Sequence, residues 1–79
     1  MALIAEFSKG DRSLVLHPTT VTCIVHVGRS DDGKTLVQLD THGSTDREIP
    51  GKLSQTLQLD EKAALELWTT LGTEFGFKK

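Results

Sequence analysis

The sequence predicts an α+β domain: an antiparallel sheet of four to five strands followed by one C-terminal amphipathic helix. Two observations carry this. Apolar and polar residues alternate over 20–27 and again over 34–41, the period of a half-buried strand, with an Asp32-Gly33 hairpin signal between them. Near the C-terminus the apolar residues fall instead at helical spacing. No repeat, linker or low-complexity stretch divides the 79 residues, so 1–79 reads as one domain, strands over about 1–59 and helix over about 60–75.

The elements follow in order. Residues 1–8 alternate bulk at Leu3, Ala5 and Phe7 before a Lys9-Gly10-Asp11 turn. Residues 13–17, Ser-Leu-Val-Leu-His, form a second short apolar run stopped by Pro18, which donates nothing to a ladder. In the strand at 20–27, Val21, Cys23, Val25 and Val27 share one face, and Thr22, Ile24 and His26 share the other. The return strand at 34–41 sets Val37 and Leu39 against Leu36, Gln38 and Asp40. Residues 41–54 are polar and broken by Gly43, Pro50 and Gly51, a long loop. A last strand at 56–59 leads to Asp60, an N-cap, with Glu61 in the first turn where the helix dipole favours an anion. Ala64, Leu67, Trp68, Leu71 and Phe75 then form a single stripe, and Gly72 or Gly76 ends the helix.

Composition narrows the function classes. A chain of this length buries only about 60% of its unfolded surface, and the apolar content is thin (37%, no Tyr), so a second copy or a partner is expected. A net charge of −2 argues against a strongly basic nucleic-acid coat and a polyacidic mimic alike. The absence of a long apolar run or a leader-like start predicts a cytoplasmic protein with no membrane partner.

Catalysis is not expected. His17, His26 and His42 show no metal-ligand spacing, so no metal and no cofactor is predicted. Cys23 and His26 project to opposite faces of a strand and cannot form a nucleophile–base pair; Cys23 reads as a small buried hydrophobe. Asp31, Asp32, Asp46 and Glu48 are loop carboxylates with turn and solubility roles.

Binding chemistry is better supplied. Arg47 and Lys52 flank Ile49-Pro50-Gly51, and each can meet a phosphate, one as a fork and the other as a point charge. Arg29 and Lys34 sit at the hairpin, beside the strand face that carries His26 and Gln38. A sheet face rimmed by basic loops is one way to grip a single strand, although each of these charges also has acidic neighbours, as solvated loops do. Trp68 belongs to the helix stripe, which makes it a core or dimer-interface residue rather than a base-stacking one.

The order of strand, Asp-Gly hairpin, strand, polar Pro-Gly-Lys loop, x-Leu-x-Leu strand and acidic N-cap resembles the positive-cofactor-four (Whirly-type) family of transcriptional coactivators and its small bacterial relatives. The residues that carry the resemblance are 34–41, Ile49-Pro50-Gly51-Lys52, and 56–64 (Thr-Leu-Gln-Leu-Asp-Glu-Lys-Ala-Ala), within roughly the C-terminal two-thirds of the chain. It implies a four-stranded curved sheet backed by a helix, dimerisation through the helices, and single-stranded nucleic acid along the sheet faces. Lys52 matches the basic position after the Pro-Gly turn, and Gln38 lies on the strand whose exposed face is used. The family's basic third strand and stacking aromatics have no counterpart here.

The leading expectation is therefore a homodimeric single-stranded DNA- or RNA-binding domain of transcription-regulator type. Its track would be Arg29, Lys34, Gln38, Arg47 and Lys52, and its dimer interface Ala64, Leu67, Trp68, Leu71 and Phe75. The alternative is a non-catalytic protein-interaction module, an accessory or inhibitor protein of a bacterium or phage, which uses the semi-polar sheet face or the Phe75-Gly76-Phe77 end.

Overall fold

A computed structural model describes residues 1–43 and 53–77. It contains four strands, β1 (Ala2–Ile4), β2 (Thr22–Arg29), β3 (Thr35–His42) and β4 (Leu53–Leu59), and one helix, α1 (Glu61–Phe75). They form a single sheet in the order β1-β4-β3-β2 with the helix C-terminal to it, an α+β arrangement.

The β2–β3 hairpin closes where Asp32-Gly33 predicts. Gly33 sits at φ 83°, a conformation that costs any residue with a Cβ, and its N–H donates to the Ser30 carbonyl at 2.9 Å. Ser30 N–H returns to the Lys34 carbonyl at 2.9 Å, and the Ser30 hydroxyl donates to Asp32. That hydroxyl bond is the main reason the Asp32 carboxyl is held below its ordinary value. β3 pairs antiparallel with β4, with one register shift between Thr41 and His42.

Three expectations change. The sheet, with four strands among the described residues as expected, is mixed rather than wholly antiparallel, because β1 runs parallel to β4 through Ala2↔Leu57 and Ile4↔Leu59. A period-2 pattern carries no direction, and the connection from β1 to β4 far exceeds the dozen residues a parallel crossover needs. The apolar run at 13–17 joins no strand. β4 begins at Leu53, three residues before the expected start, because the polar Gln55 fits an antiparallel ladder opposite Thr41.

Asp60 caps α1 as expected: its Oδ1 accepts from Ala63 N–H at 2.9 Å. Gly76, at φ 71°, ends the helix in the left-handed conformation, with its N–H donating to the Gly72 carbonyl. The helix meets the sheet chiefly at its first turn, where Ala63 is wholly buried and Leu59 nearly so. Ala63 lies beside the predicted stripe, and its single methyl lets the helix backbone approach β4 closely. Residues 5–9 run along the helix as a strap: Phe7 N–H donates to Glu66 Oε1 at 3.1 Å, and Lys9 pairs with Glu74 at 3.4 Å.

Candidate binding surfaces

The strand registers sort side chains onto two unlike faces, because directly paired residues project the same way. One face is apolar. Cys23, Val25 and Val27 of β2 stand beside Val37 and Leu39 of β3, then Leu57 and Leu59 of β4, then Ala2 and Ile4 of β1. Only the corner at Leu59 is closed by the helix; Val25, Val27 and Leu57 remain exposed. Cys23 is exposed as well, contrary to the buried role expected for it, because α1 does not reach across to β2. A groove of about 410 Å³ between helix and sheet is lined by Val37, Leu59, Ala64, Leu65 and Trp68.

The helix stripe borders this face. Trp68 is half exposed, Leu71 and Phe75 are exposed, and Ala64 and Leu67 are intermediate. Phe75 stacks on Phe77 with ring centroids 5.3 Å apart, so the chain's last described residue is tied to the helix end by an aromatic pair.

The opposite face is a polar ladder across three strands. Gln58 Nε2 donates to Gln38 Oε1 at 2.9 Å, and Gln38 Nε2 donates to Asp40 Oδ1 at 3.1 Å. His26 Nε2 lies 3.2 Å from Asp40 Oδ2. Burial pushes the Asp40 carboxyl up. Hydrogen bonds from Gln38 and Thr56, with the charges of His26 and His42, outweigh it and leave the group below its ordinary value. Thr56 is buried at the foot of this ladder, while Ile24 and Leu3 on the same face stay exposed. Period-2 alternation alone places Gln38, Asp40, His26 and Gln58 together. Their bonding to one another depends on register, which no sequence pattern specified.

The predicted track is not assembled on one face. Gln38 belongs to the polar face, whereas Arg29 pairs opposite Thr35 on the apolar side and donates to its hydroxyl. Lys34 stands in the hairpin turn, 3.9 Å from Asp32. Arg47 and Lys52 lie outside the described residues. Cys23 and His26 face opposite ways, and among the described residues no three His, Cys, Asp or Glu side chains converge as a metal site. Nor is any described helix long and apolar enough to cross a membrane.

No family model, curated protein or solved structure matches the chain.

Proposed function

We propose that this chain is a non-catalytic protein-interaction module that works as a homodimer. A second copy closes its apolar sheet face and helix stripe, and the polar ladder is left as the surface offered to a partner. The observation that carries this reading is the surface left open. The chain exposes 7009 Å², whereas a compact monomer of 8.7 kDa exposes about 4,700 Å². Its radius of gyration is 14.8 Å, against about 11.6 Å for a compact domain of this length. The surplus of about 2,300 Å² per chain falls in the range that obligate homodimers bury. Val25, Val27 and Leu57 on the apolar sheet face and Trp68, Leu71 and Phe75 on the helix stripe are among the exposed large apolar residues.

A protein ligand is favoured over a nucleic-acid strand by charge. Asp40, with its ionised form favoured, stands at the centre of the polar ladder, where a phosphodiester would be repelled. Among the described residues, no Lys or Arg side chain takes part in that ladder. The single-stranded nucleic-acid reading keeps one observation in its favour. Gln38, Gln58 and His26 offer hydrogen-bonding groups at strand spacing on one accessible face, an arrangement that suits base edges and sugars.

Sedimentation equilibrium with an anisotropy titration of a labelled single-stranded oligonucleotide at two salt concentrations separates the readings. A dimer without salt-dependent oligonucleotide binding is the expected result. A dimer whose binding weakens steeply with salt moves the assignment to nucleic acid. A monomer at tens of micromolar overturns the proposal.

A further inference from the structure

The geometry points to a strand exchange: residues 13–17 of one chain close the open edge of β2 in the second copy, reciprocally about a two-fold axis. This rests on the homodimer reading and specifies how the two copies are joined.

Both halves of such a contact stand unused on the chain. β2 is the outermost described strand, eight residues long, and among the described residues nothing pairs with its outer side. It carries no proline, no lysine and no bulge, the devices by which proteins blunt an exposed edge, and its one Lys, Arg, Asp or Glu residue is Arg29 at its end. The run 13–17, Ser-Leu-Val-Leu-His, is a short apolar stretch that stops at Pro18 as a strand does. Leu14, Val15 and Leu16 are 88%, 92% and 95% exposed, more than any other apolar residues described. Three consecutive apolar side chains in water, on backbone that belongs to no element, mark a strand without its sheet.

The chain does not present this run to its own β2. Residues 5–9 are strapped along α1, and Leu14 still borders the groove formed with Leu65 and Leu67. The bend at Pro18, where Thr19 N–H donates to His17 Nδ1 at 3.0 Å, separates the run from β2. A second copy supplies both an edge and a run, so one symmetry operation satisfies four unpaired segments at once. In that pairing Leu14 and Leu16 extend the apolar face of Cys23, Val25 and Val27, and Val15 takes the other side.

Proline and cysteine variants test the contact. Val15→Pro removes a ladder donor from a run that belongs to no strand among the described residues. It is expected to weaken dimerisation by about tenfold or more in sedimentation while the circular dichroism stays unchanged. Leu14→Cys and Leu16→Cys are made separately and oxidised. At least one is expected to give an intermolecular disulfide that is lost when Cys23→Ser is added, and Val15→Cys none. These cross-links decide the matter if the proline variant fails to fold. A wild-type monomer overturns both this inference and the homodimer reading. A wild-type dimer with no cross-link to Cys23, or with a disulfide formed only within one chain, overturns the exchange and leaves the homodimer standing.

Discussion

Replacing Val25 and Val27 together by Thr separates the needs of a dimer from those of a single chain. The two valines are 60% and 71% exposed on the apolar face, so within one chain they have given up little contact with water. Threonine keeps the β-branched shape and the strand preference and adds a hydroxyl that dislikes a dry interface. Full burial of a valine is worth about 2 kcal/mol, so closing the exposed fractions contributes about 2.6 kcal/mol per chain. Two chains make that about 5 kcal/mol, or between three and four decades in the dimer dissociation constant as an upper bound. Sedimentation gives the constant, and the emission of Trp68, which borders the same face, reports its burial as concentration rises. The expected V25T/V27T protein is monomeric at concentrations where the parent is dimeric, with the same helix and strand signals. An unchanged dissociation constant refutes the reasoning, because the apolar face would then not be what the second copy covers.

Three further outcomes follow from local features. Asp60→Ala removes the acceptor of the Ala63 N–H and is expected to cost about 1 kcal/mol, lowering the melting temperature by about 4–8 °C; Asp60→Ser retains most of that stability, and equal losses would refute the capping role. Gly33→Ala forces a Cβ into positive φ and is expected to destabilise the hairpin by about 1–2 kcal/mol, read in a urea titration; a loss below about 0.3 kcal/mol refutes it. Asp40 has a folded pKa depressed from 3.8, so the stability it adds is present above about pH 4 and is lost as the pH falls through the folded value. Asp40→Asn is expected to flatten urea stability against pH in that acid window, and an unaltered slope contradicts the role given to the ladder.

The hairpin, the two faces and the helix start were legible because each depends on neighbours in sequence. Asp32-Gly33 carries its own turn chemistry, Asp60 caps three residues ahead, and alternation alone separates Val25 from His26. What was not legible depends on distant partners. Nothing in the first few residues specifies that Ala2 lies beside Leu57, or that they run the same way. Cys23 was expected inside because its neighbours are apolar, yet burial requires a covering element, and α1 reaches only the β4 corner. Two residues of the expected track part for a related reason. Arg29 and Gln38 are close along the hairpin, but an odd offset across the register sends them through opposite sides of the sheet. The apolar surplus itself was foreshadowed by short length and thin hydrophobic content, while its location on one sheet face and one helix stripe required the fold.

The attachment of α1 has a mechanical consequence. The helix is rooted at Ala63, and Phe75 lies twelve residues farther on, about 18 Å along the axis. It is therefore a cantilever: a tilt of 5° at the root carries the aromatic tip about 1.6 Å. The strap of residues 5–9 acts as a stay, and its outermost tie, Lys9 to Glu74, is an exposed ion pair that holds weakly. The Phe75–Phe77 pair thus rides on a lever whose fulcrum is a single buried methyl. Small adjustments at the Leu59–Ala63 contact become ångström-scale fitting where the tip meets whatever it presses against.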